Sequence, residues 1–156
     1  KNVAEAFCRS YQQEFDLDYT IFRFFNTYGS LQSDDFVISK FVNLALNSQD
    51  ITIYGDGTQT RTFCYIDDNL DATIACMEQG LCINDVMNVG SDCEMTVLKL
   101  AEEIISITGS KSRVVHLPAL EEGDMTRRNP DISKMKKILN RDLLSLNQGI
   151  LEMCKG

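Results

Sequence analysis

Among its 156 residues the sequence has one histidine and only 15 Lys+Arg against 23 Asp+Glu, a formal net charge of -8. That shortage of positive charge excludes the broad basic surface that phosphate backbones and anionic lipid require, so neither nucleic acid nor membrane is expected as a partner. Any anion must be caught locally. No run approaches the roughly 20 consecutive apolar residues of a spanning helix, and the opening Lys-Asn-Val-Ala-Glu-Ala-Phe-Cys has no signal-peptide core. A soluble, cytoplasmic protein is predicted. None of the six cysteines (Cys8, Cys64, Cys76, Cys82, Cys93, Cys154) forms a C-x-x-C pair, and His116 has no second ligand close in sequence. Buried free thiols are therefore expected, without disulfides and without a structural metal. G-x-G-x-x-G, P-loop, G-x-S-x-G and H-E-x-x-H patterns are all missing, which leaves no complete catalytic engine.

What is present suits a single compact unit: 44% hydrophobic and 24% charged side chains. Helical periodicity is already running at Val3, Phe7, Tyr11 and Phe15, with no cap or lead-in, the pattern of a segment from inside a longer protein. Residues 19–25 are β-branched and aromatic on both parities, which predicts a strand buried on two faces. A turn at Asn26-Thr27-Tyr28-Gly29 and a helix over about 36–48 follow. Ile51 to Tyr54 reads as a strand, Gly55-Asp56-Gly57-Thr58 as a turn, and 61–66 as a second extended run. Asp67 or Asp68 is expected to cap a helix ending at Gly80, 85–89 to be a strand, and Thr96 to cap a helix through Ile107. A strand at 113–117, a loop over 118–130 and helices from Asp131 and Ser145 complete an alternating α/β chain.

Three features place polar groups where loops leave strands. Asn26 follows the first strand, either as a turn residue or as an amide facing a ligand. Arg61 precedes an aromatic run, either as a solvated hairpin cation or as a guanidinium able to grip phosphate through two parallel bonds. The third is the loop bearing Arg127 and Arg128, within a stretch from Lys111 to Arg141 that carries 8 of the 15 basic residues. Lys134, Lys136 and Lys137 there read as a charge pattern along a solvated helix. Tyr65, Asp67 and Asp68 are better explained as a helix start than as an acid/base group, and His116 as a structural residue.

Lys1-x-x-Ala4-Glu5-Ala6, Arg23-Phe-Phe-Asn26-Thr27-Tyr28-Gly29, Ile51-Thr-Ile-Tyr-Gly-Asp-Gly-Thr-Gln-Thr-Arg61-Thr-Phe-Cys-Tyr65-Ile-Asp67-Asp68 and Arg128-Asn-Pro-Asp131, in this order, resemble the C-terminal half of extended short-chain dehydrogenases/reductases that act on nucleotide sugars. The resemblance covers essentially the whole chain and lies nearest to UDP-glucuronate decarboxylases, 4,6-dehydratases and 4-epimerases. It implies the C-terminal part of a Rossmann-like fold plus a small nucleotide-sugar-binding domain, with 1–30 and 66–90 in the former and 31–65 and 91–156 in the latter. It implies NAD as cofactor and a UDP- or TDP-sugar as ligand. Lys1 matches the lysine of a Tyr-x-x-x-Lys pair, whose tyrosine would precede the chain. Asn26, Arg61 and Arg128 match residues that hold the diphosphate and nucleotide, and Val37 a segment touching base and phosphates. A homodimer through the helix starting at Lys1 is implied as well. In the family, hydride passes from sugar C4 to NAD, and the 4-keto sugar then epimerises, eliminates water or decarboxylates.

Two departures stand out: Ser30 replaces the family's proline, and the loop 31–35 is shorter than in the decarboxylases and lacks their arginine. Epimerisation and dehydration are therefore favoured over decarboxylation. Without the tyrosine and the dinucleotide loop, the isolated chain is expected to be inactive, either as the substrate half of an enzyme or as a nucleotide-diphosphate-binding remnant.

Overall fold

A computed structural model describes residues 2–119 and 129–155. Lys1, Arg127 and Arg128 lie outside the described residues. The elements run α1 (Asn2–Phe15), β1 (Thr20–Phe24), β2 (Thr27–Tyr28), α2 (Val37–Leu46), β3 (Ile51–Tyr54), β4 (Thr60–Thr62), β5 (Cys64–Tyr65), α3 (Ile66–Gln79), β6 (Asp85–Val89), β7 (Glu94–Thr96), α4 (Val97–Thr108), β8 (Val114–Leu117), α5 (Ser133–Leu139) and α6 (Leu146–Met153). Three strand pairs are parallel, β1 with β6, β2 with β5 and β3 with β8, while β4 runs antiparallel to β7. The α/β class predicted from the alternation is the one observed.

Two apolar clusters organise these elements. The first gathers Ile38, Phe41, Val42 and Ala45 of α2, Ile51 and Ile53 of β3, Leu100, Ala101 and Ile104 of α4, and Ile150 of α6 around Tyr28 and Tyr65. The second joins Ala72 and Cys76 of α3 to Met87 and Val89 of β6 and to Ile132 and Met135 at α5. Helix ends follow local chemistry: Thr96 Oγ1 accepts the Lys99 amide at 3.1 Å, and Ser145 with Gln148 forms a reciprocal capping box on α6.

Several expectations are corrected. The extended run 61–66 is two strands, because the chain leaves β4 at Phe63 and changes partner from β7 to β2. No residue of β1 is fully buried, and Phe24 is exposed, since among the described residues β1 pairs with β6 alone. Neither Asp67 nor Asp68 caps α3: the cap position is Tyr65, without a side-chain bond. Asp68 is instead buried, taking Arg141 Nη1 at 2.5 Å and the Leu144 amide at 2.9 Å, so it fastens α3 to the connection between α5 and α6. Lys134 and Lys136 do not pair along their helix; they reach Asp85 on β6 and Asp92. All six cysteines are free, but only Cys64 and Cys76 are buried and Cys93 is exposed. No helix among the described residues is long and apolar enough to cross a membrane.

Candidate nucleotide-sugar cleft

The end of β1 sets the site. Phe25 N still bonds Val89 O at 2.9 Å, and Asn26 then turns the backbone at φ 41°, a left-handed conformation that asparagine tolerates better than most residues. Its carbonyl accepts the Cys64 amide at 3.2 Å and its Nδ2 donates to Thr62 O at 2.8 Å. The turn reading of Asn26 is the one observed, and its side-chain amide holds the joint between β4 and β5 while the residue lines a cleft.

That cleft, about 330 Å³, is walled by Asn26, Gln32, Val37 and the rings of Phe24, Phe36 and Phe63, with Tyr28 at its back. It brings Asn26 and Val37 together. Arg61 is not one of its lining residues; it stands on β4 two positions before Phe63, opposite Met95 of β7, and donates from Nη1 to Thr60 O at 2.8 Å. The turn before β4 is tight because Gly57 (φ 73°) is packed so closely that a Cβ would come within 2.7 Å of Ile53 Cδ1 and 3.0 Å of Leu98 Cβ.

None of the lining residues is acidic, basic or histidine. Burial pushes the Tyr28 phenol well above its ordinary pKa, reinforced by Cys64, Asp68 and Tyr65, and burial with Asp68 pushes the Cys64 thiol up to about 12. Both stay protonated at neutral pH. Uncharged, aromatic and furnished with two amides, the cleft has the chemistry of a binding wall rather than of a proton-transfer centre. His116 is structural, with Nδ1 2.8 Å from Gly55 O. No group of His, Cys, Asp and Glu among the described residues could hold a metal. Sequence reasoning passed over Gln32, which in a polar loop gives no signal; Phe63 was visible only as part of an aromatic run.

A model of the NAD dependent epimerase/dehydratase family matches residues 1–90, more than half of the chain. The chain belongs to that family. It is similar, at 35% identity over 97% of its length, to UDP-N-acetyl-alpha-D-glucosaminuronate decarboxylase of Bacillus cytotoxicus, of which it covers 50%. It is likewise 35% identical over 96% of its length to UDP-glucuronic acid decarboxylase 1 of Danio rerio, covering 36% of that protein. Among solved structures, UDP-glucose 4-epimerase of Thermotoga maritima with UDP-glucose superposes at a TM-score of 0.90 with 30% identity, over 99% of this chain and 50% of that one. UDP-glucuronic acid 4-epimerase of Bacillus cereus, in complex with UDP-glucuronic acid and NAD, gives 0.86 and 29%, over 99% and 51%. The chain thus spans half or less of the curated relatives it matches.

NAD is the family's cofactor, but the described residues do not fit its pyrophosphate. Their one turn with paired glycines, Gly55 and Gly57, leads into strand β4 instead of a helix N-terminus, and Gly57 is closed off by Ile53 and Leu98.

Proposed function

We propose that this chain is the nucleotide-sugar-binding half of an NAD-dependent epimerase/dehydratase. The observation that carries the reading is the convergence of Asn26 and Val37 on one uncharged, aromatic cleft, with Arg61 two residues from its Phe63 wall. In this reading the rings and Val37 take the base and sugar faces, the Asn26 amide contacts the diphosphate region, and Arg61, with Arg128 outside the described residues, supplies the charge-assisted bonds a diphosphate needs in an acidic protein. Lys1 keeps its place as the lysine of the family pair in the whole enzyme. The work of these residues is binding and orientation, holding a UDP- or TDP-sugar near chemistry supplied elsewhere. The homodimer of this reading forms through α1, whose Val3, Phe7, Tyr11 and Phe15 are exposed, and sedimentation of the chain checks it.

Glucuronate decarboxylation is the second reading, favoured by the name of the Danio rerio relative at 35% identity. Release of CO2 from UDP-glucuronate by the whole enzyme separates it from epimerisation. The first test is a calorimetric titration of the chain with UDP, TDP and NAD, repeated on Arg61→Ala. UDP or TDP is expected to bind and NAD not to, with the substitution weakening binding about 10- to 150-fold, the weight of a charge-assisted hydrogen bond. Undiminished binding by the variant would remove Arg61 from the site.

A further inference from the structure

Helix α2 presents Val37 to the cleft from its first turn, yet its cap residue Phe36 makes no side-chain bond to free helix amides. Something else must fix that end, because an uncapped first turn frays. One link to the first turn runs through a side chain in the loop between β2 and α2, while Asp34 of the same loop accepts from Asn43 further along the helix. Gln32 Nε2 donates to Thr27 O at 2.6 Å, and Gln32 Oε1 accepts the hydroxyl of buried Ser39 at 3.2 Å. The loop itself is folded under Gln32, whose amide bonds Gly29 O at 3.1 Å. Thr27 is held in turn: it is in register with Cys64 in the β2–β5 pair, and its Oγ1 accepts from Asn69 Nδ2 at 2.6 Å. Thr27 is also the immediate neighbour of Asn26. A continuous relay therefore passes from α3 through Thr27 and Gln32 to the first turn of α2, joining the two cleft residues through neighbours in the same wall.

We infer that Gln32 is a positioning residue of the cleft, setting the distance between Asn26 and Val37 by bridging the Thr27 carbonyl to Ser39. The inference rests on the nucleotide-sugar reading for its consequence and on the bond geometry for its mechanism. Both ends of the amide are used, one donating and one accepting, so glutamate, which has nearly the same shape, cannot replace it: a carboxylate accepts from Ser39 but faces the Thr27 carbonyl with no N–H. A side chain that merely filled space would tolerate that change.

Amide exchange and UDP titration on the wild-type chain, Gln32→Ala and Gln32→Glu test this. In both variants the amides of residues 40–42, the first to be bonded within α2, are expected to exchange about tenfold faster while those of α4 keep their wild-type rates. UDP affinity is expected to fall by up to about 30-fold, the weight of two ordinary hydrogen bonds, and the melting midpoint by several degrees, because the same bonds are lost from the free chain. Ser39→Ala, which removes one bond of the two, should weaken UDP about fivefold and serves if the Gln32 variants do not fold. Wild-type exchange at residues 40–42 in folded variants overturns the positioning role, as does a Gln32→Glu chain that matches wild type in both measurements. A wild-type chain that takes up no UDP counts against the nucleotide-sugar reading alone, and the exchange rates still decide the role of Gln32.

Discussion

The cluster around α2, α4 and α6 closes on itself: each helix turns its apolar stripe inward, and β3 contributes Ile51 and Ile53 to the same interior. The cluster around α3, α5 and β6 is enclosed on one side only. α3 buries Ala72 and Cys76 while Leu70, Ile74 and Met77, spaced four and three apart, stay exposed, and α1 buries none of its residues. Periodicity in a sequence reports that a helix face is apolar and says nothing of what covers it, so α1 and α2 both show a stripe and differ in what lies over it. The candidate cleft lies where the two regions meet. Its walls come from β1 on the open side and from α2 on the closed side.

Breaking the joint between the regions should have the largest effect. Asp68 is fully buried at the start of α3, its two oxygens engaged by Arg141 Nη1 and the Leu144 amide. Asp68→Ala leaves the Leu144 amide without that acceptor and Arg141 Nη1 with only the Asp142 carbonyl, at 2.9 Å. Because the Arg141 side chain is 36% exposed and also reaches Asp71 at 2.6 Å, part of the loss is recovered in water. We expect about 3 kcal/mol of destabilisation, at the low end for removing one partner of a buried pair. A denaturant titration measures it, and a loss under about 1 kcal/mol would show that the two regions are held together otherwise.

The uneven legibility of the molecule follows from range. α2 and α4 are readable because their stripes and, for α4, the Thr96 cap are local facts. β2 and β7 are not, since strands of two or three residues exist only through partners 37 and 36 or so positions away, as in Thr27 with Cys64 or Thr60 with Thr96. Asp68 is misread for the same reason: a carboxylate in a first helical turn looks like a cap, and its partner Arg141 lies 73 residues on. In the site, residue types alone left Asn26 open between turn and ligand contact, and family resemblance singled out Val37. Their meeting in one cleft is a tertiary fact, and so is the use of Gln32.

A substitution confined to the closed region sharpens the comparison at smaller cost. Gly149 on α6 lies against the Tyr28 ring, so that an added Cβ would stand 2.8 Å from Cζ and closer still to Oη. Tyr28 is buried, 5.3 Å from the Tyr65 ring in an edge-on arrangement, and cannot swing away freely. Gly149→Ala gains about 1 kcal/mol of helix propensity and loses ~1–3 kcal/mol to overpacking. A net loss of about 1 kcal/mol is expected, together with weaker UDP binding, because Tyr28 backs the cleft. A variant as stable as wild type would mean that α6 shifts to accommodate the methyl, in which case the closed cluster is looser than its burial suggests.

Acid should act on both regions alike and least of all. Asp50 on the closed side is held below the usual carboxylate range chiefly by hydrogen bonds from Arg113, and Asp85 on the open side by the hydrogen bond from Lys134. A carboxylate whose folded pKa lies below its unfolded value of about 3.9 stabilises the fold above that pH. The contribution is lost as pH falls through the folded pKa. Both pairs are exposed and screened by salt, so each effect is small and shrinks further at 1 M ionic strength. Stability is expected to be flat near pH 6 and to decline below about pH 4, with a shallower decline in Arg113→Met and in Lys134→Met. If the Lys134 variant declines as steeply as wild type while the Arg113 variant does not, the ion pair on the open side adds nothing, and the strand pair β1–β6 depends on its backbone ladder and apolar packing.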